Sequence, residues 1–170
     1  MISIRESGMT FGPFQDSECF RVETSQLYAA IQGDVKIAEF VLLRSGTSPA
    51  FWIMEAKSSS PRPETQPNFD EFVTDIRDKW VNAFSLVFAS CLERHPVTGT
   101  DFPTSFQRLD LSKIRVRFCL VINGHKDEWL PGIQDALNKA LRPTAKTWAL
   151  GAMPVCVINE EGAQKYGLTQ

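Results

Sequence analysis

Three side chains of this sequence, Glu39, Glu55 and Lys57, are candidates for a reactive centre. Each acid interrupts an apolar stretch: Glu39 lies within Val35-Lys36-Ile37-Ala38-Glu39-Phe40-Val41-Leu42-Leu43, and Glu55 follows Phe51-Trp52-Ile53-Met54. Side chains of an extended chain alternate between faces, so Glu39 shares a face with Ile37, Val41 and Leu43, and Glu55 shares one with Phe51, Ile53 and Lys57. A hairpin turning at Thr47 sets Leu43 against Phe51, Val41 against Ile53 and Glu39 against Glu55. Two acids opposed across strands repel, more so when partly buried. A hard divalent cation offsets the repulsion, because Mg²⁺ uses one or two carboxylates and leaves positions for water and phosphate. A cation with the Lys57 ammonium beside it suits phosphodiester hydrolysis, in which negative charge grows on oxygen. On this reading Glu55→Gln relieves repulsion and leaves the metal-free protein no less stable.

The elements that would hold these residues follow from periodicity. Phe20–Val22, Val35–Leu43 and Ala50–Lys57 have strand composition, and Arg44-Ser45-Gly46-Thr47-Ser48-Pro49 is a turn between the last two. Three prolines and three consecutive serines make residues 58–68 a loop. From Asn68, read as the N-cap, to about Leu92, Phe69, Phe72, Val73, Ile76, Trp80, Phe84, Val87, Phe88 and Cys91 recur at helical spacing and predict one long amphipathic helix. Residues 95–112 are irregular, either a functional loop or the seat of a short element. Ile114–Ile122 reads as a strand entering a core, Ile133–Leu141 as a helix ending before Pro143, and Val155–Ile158 as a last short strand. This order predicts an α/β protein with a mixed sheet flanked by helices.

Length and composition bound the rest. The chain has 170 residues, 43% hydrophobic and 22% charged, which suits one globular domain over 1–170 with its core at about 20–158. Apolar runs stop far short of the ~20 residues that cross a bilayer, and the N-terminus has no export pattern, so the expectation is a cytoplasmic protein with no membrane partner. The four cysteines lack zinc-finger spacing and read as reduced thiols. With a net charge of −2, overall charge would not hold a polyanion, so any nucleic-acid affinity must be local.

Glu39 followed by Glu55-Ala56-Lys57 at the end of an apolar strand resembles the PD-(D/E)XK nuclease superfamily, the restriction-endonuclease-like fold. The resemblance covers roughly residues 20–122. It implies that Glu39 and Glu55 bind Mg²⁺ or Mn²⁺, that Ala56 offers its backbone carbonyl to the metal, and that Lys57 serves the attacking water. Glu23 stands where many members place an earlier acid. Ala38-Glu39 replaces the proline and aspartate that name the motif. The implied activity is metal-dependent hydrolysis of nucleic acid, DNA favoured over RNA, with a homodimer or a partner protein supplying specificity. The alternative is a catalytically inactive domain of the same fold that binds nucleic acid or protein.

Plainer readings compete at several positions. A single strand acid usually faces solvent, Lys57 could merely pair with Glu55, and Lys79 on the flank of the long helix reads as a snorkelling surface lysine. Arg115 and Arg117, with Lys113 and Arg108 near by, could track phosphates. His95 and His125 read as surface histidines, and Ser58-Ser59-Ser60 has no neighbouring histidine in sequence to make a nucleophile.

Overall fold

The computed structural model describes residues 1–170. The chain opens with a separate antiparallel hairpin of Ile2–Glu6 (β1) and Met9–Phe14 (β2). Next come Cys19–Phe20 (β3), a single helical turn Gln26–Ala29 (α1), Phe40–Arg44 (β4) and Ala50–Lys57 (β5). The long helix Asn68–Cys91 (α2) and the short Thr104–Gln107 (α3) precede Arg115–Ile122 (β6). Leu130–Thr147 (α4), Val155–Asn159 (β7) and Glu160–Lys165 (α5) complete the chain. The main sheet runs β3-β4-β5-β6-β7; its first three strands are antiparallel, and β6 and β7 extend it in parallel through the α2 and α4 crossovers. This is an α/β architecture with a mixed sheet flanked by helices, as the order of elements predicts.

Strands β5 and β6 are almost continuously apolar because both faces of the sheet are covered. On one face Val41, Phe51, Ile53, Phe118 and Leu120 pack against Ile76, Trp80 and Phe84 of α2 and Ile133, Leu137 and Leu141 of α4. On the other, Phe40, Leu42, Met54, Ala56 and Val121 pack against Ile4, Met9, Phe11 and Phe14 of the hairpin and Ala163 and Leu168 near the C-terminus. Buried packing therefore continues beyond residues 20–158 at both ends. The rings of Phe11 and Phe40 meet edge to face at 5.4 Å, fastening the hairpin beneath β4.

Several boundaries differ from expectation. The span 35–39 is not strand: two of its carbonyls are taken by side chains, Tyr28 Oη donating to Val35 O at 2.8 Å and Asn82 Nδ2 to Lys36 O at 2.8 Å. Ile37 and Ala38 are nonetheless buried, so this segment contributes apolar side chains without a ladder. Val22 is likewise buried outside β3. Asn68 opens α2 but makes no cap; Pro67 holds that position. The irregular 95–112 segment holds α3. Helix α4 runs through Pro143, because the stripe Ile133, Leu137, Leu141, Ala145 stays buried beyond it and packing outweighs the missing amide bond. No helix is long and apolar enough to cross a membrane.

Candidate metal centre

The register read from the sequence holds: Leu43 pairs with Phe51, Val41 with Ile53 and Phe40 with Met54. Glu39 lies one residue before β4 rather than inside a strand, and its amide donates to Met54 O at 3.1 Å, so the chain stays alongside β5. Strand β5 runs on past its last β4 partner. Glu55, Ala56 and Lys57 are therefore paired with β6, through Leu120, Val121 and Ile122, but not with β4, which leaves their peptide groups on the β4 side outside any ladder. The side chain of Ala56 packs into the second core.

Glu55 is 1% exposed. Its Oε1 accepts from Lys57 Nζ at 2.9 Å and from Lys79 Nζ at 2.7 Å, while Oε2 is buried with no hydrogen-bond partner. Lys79 is thus not a snorkelling surface lysine. It projects from α2 onto the face of the sheet that carries Glu55, 17% exposed at its side chain, because that face is where α2 packs. Burial disfavours its ammonium, yet the Glu55 carboxylate and the hydrogen bond to it outweigh burial and push its pKa up to about 12. The stability expected of Glu55→Gln is overturned by the same contacts, since glutamine would strip two ammoniums of their counter-charge.

Glu39 faces a second group of acids. Carboxylate oxygens of Glu6, Glu23 and Glu39 lie within 4.8 Å of one another, and Glu55 stands outside that trio, drawn toward the lysines. Glu23 is exposed in the turn after β3, where its amide donates to Glu39 O at 3.3 Å. Burial, a hydrogen bond to Glu23 and the charges of Glu55, Glu23 and Glu6 push the Glu39 pKa up to about 8. Near neutrality Glu39 therefore holds a proton. Glu6 is also raised, first by burial and then by Glu23. Sequence reasoning missed Glu6: it ends a short strand of a hairpin remote from the motif, and only tertiary packing brings it in.

The oxygens of Glu6, Glu23 and Glu39 are hard donors close enough together to share one divalent cation, and the unpartnered Oε2 of Glu55 is a further hard donor outside that trio.

Other candidates resolve differently. Arg117 lies over the Trp52 ring at 5.5 Å, Arg115 donates to Ser48 O at 3.0 Å and Lys113 pairs with Asp110 at 3.0 Å, so these cations are engaged locally. His125 is half-buried, and its Nε2 lies 2.9 Å from Ser60 Oγ, a pairing invisible in sequence order. Compared with known proteins, the chain matches no family model, no curated protein and no solved structure.

Proposed function

We propose that this chain is a metal-dependent nuclease with a restriction-endonuclease-like core, hydrolysing phosphodiester bonds of nucleic acid, DNA in preference to RNA. One observation carries the reading: Glu55, buried, gathers two lysines on one oxygen and leaves the other without a partner beside a cluster of three further carboxyls. Glu39, Glu55 and the Ala56 carbonyl would hold Mg²⁺ or Mn²⁺, with Glu23 and Glu6 adjoining. Bound there, the cation supplies Lewis-acid stabilisation of charge on a phosphoryl oxygen.

The chain's own groups divide the remaining work. Lys57, at the open end of β5, spends one N–H on Glu55 and has two more to orient a water and meet the charge growing on phosphate. Lys79, deeper on α2, fixes the Glu55 carboxylate in place. To serve as a ligand Glu39 would have to release its proton to solvent, so holding a cation there would be linked to the charging of this acid.

The test pairs a thermal shift with a cleavage assay on linear duplex DNA, single-stranded DNA and structured RNA. Mg²⁺ or Mn²⁺ should raise the melting temperature of the wild type, because it binds the folded state preferentially. Glu39→Gln should fold well, lose that shift and lose cleavage. A wild type with neither shift nor cleavage would retire the enzyme in favour of a non-catalytic domain of the same architecture.

A further inference from the structure

Where β5 and β6 leave the sheet at their carboxyl ends, the following segments enclose a cleft of about 550 Å³, within the range of small-ligand sites. It begins at Ser58, the residue after Lys57. Asn123, on its wall, ties it to the acidic centre: its amide donates to Lys57 O at 2.9 Å, and its Nδ2 donates to Ser7 O, next to Glu6, at 3.0 Å.

The cleft has an aromatic wall. Trp129 is 39% exposed, with Arg62 Cζ at 5.8 Å and Lys126 Nζ at 5.2 Å from its ring centre and the His125 ring edge-on at 5.2 Å. Burial lowers the His125 pKa, so this ring is a neutral hydrogen-bonding group, already joined to Ser60. The charged lining residues are Arg62, Glu64 and Glu128, so the cleft has no surplus of positive charge with which to trap phosphate. It offers the exposed part of the Trp129 indole, over which Arg62 and Lys126 lie, and a set of neutral donors and acceptors, a lining that suits a nucleobase better than its phosphate. Phosphate charge is met next door, at Lys57.

We infer that the cleft receives one unpaired base of the strand whose phosphodiester lies at Lys57. The inference rests on the nuclease reading above and narrows its substrate to single strands, flaps or frayed ends. A base inside a duplex has its face stacked and its edge paired, and reaches such a wall only by leaving the stack.

Binding of a fluorescein-labelled DNA strand, of the RNA of the same sequence and of the blunt DNA duplex, read by anisotropy in Mg²⁺ on the Lys57→Ala background, tests this. The unpaired strand should bind at least about tenfold tighter than the duplex, Trp129→Ala should weaken it about tenfold, and Trp129→Phe should restore most of the loss, which a merely structural role would not predict. Comparison of the DNA and RNA arms identifies which strand is preferred. Equal binding of duplex and single strand, no binding at all, or a Trp129→Ala effect below about twofold would overturn the inference. Cleavage by the wild type in that event leaves the nuclease reading standing. Trp129-dependent binding without any wild-type cleavage does the reverse.

Discussion

The ammonium of Lys79, carried by α2, lies 2.7 Å from Oε1 of Glu55 on β5, and the carboxylate it holds is fully buried. The residues belong to elements joined by a proline-rich loop, and their pairing fixes how α2 lies on the open end of the sheet. Lys57 joins it on the same oxygen, so two ammoniums hold this carboxylate in place.

Lys79→Met should destabilise the protein by about 3 kcal/mol in urea unfolding, the order of cost for removing one partner from a buried ion pair. An exposed pair would cost less than about 1 kcal/mol. A result in the lower range would mean that Lys57 alone satisfies Glu55.

The raised pKa of Glu39 has a consequence for stability with a definite sign. Between its ordinary value near 4.5 and about 8, the folded protein holds a proton that the unfolded chain has released. Metal-free stability should therefore fall as pH rises through that window and level off above it. Glu6 is raised too and acts in the same direction. Glu39→Gln should flatten most of the slope and leave the protein more stable than wild type at about pH 8, and melting temperatures across the range decide the matter. In the wild type the stabilisation by Mg²⁺ should grow with pH over the same interval, as the cation displaces a proton ever more weakly held.

If the chain is the nuclease proposed, Lys57→Ala should lower the rate of strand cleavage by about 10²- to 10³-fold, the usual loss on removing one donor that meets developing charge. The melting-temperature rise with Mg²⁺ should survive, because the carboxylates remain. Loss of both together would place Lys57 in the folding of the site rather than in its chemistry.

Trp80 is fully buried against Phe118, with its ring centroid 5.7 Å away, and its Nε1 has no hydrogen-bond partner. Trp80→Ala should cost about 3–5 kcal/mol through the cavity it opens. Trp80→Phe should cost clearly less, since it keeps an aromatic ring and removes the unsatisfied donor. Equal losses for the two variants would show that the indole's volume, not ring packing, sets the stability of this face.

The hairpin register was legible because strand periodicity is strict and the turn at Thr47 leaves few alternatives. The pairs from Phe40 with Met54 to Arg44 with Ala50 follow from local pattern alone, whereas the expected pair of Glu39 with Glu55 is not formed: the ladder ends at Phe40, and the Glu39 amide donates to Met54 O instead. Lys79 and Glu6 were not legible. Each reaches the centre through packing between elements distant in sequence, and a lysine on a helix flank or an acid ending a short strand has the same local signature when it faces solvent. The extent of α4 escaped for a related reason: Pro143 is a local stop signal, and the burial of Ala145 that overrides it is a property of the fold. The non-strand course of 35–39 belongs here as well, since Tyr28 and Asn82 take carbonyls that the apolar pattern assigns to a ladder.

Glu6 reaches the acidic cluster on a hairpin that is anchored from the far end of the chain. Gly12 N donates to Leu168 O at 2.9 Å, Phe11 bridges to Thr169, and Leu168 is buried in the core beneath the hairpin. These last residues thus clamp the strand pair that carries Glu6. Removing them would leave the main sheet and its helices in place while loosening Glu6, so the chain's tail is part of the scaffolding of the centre formed near its head.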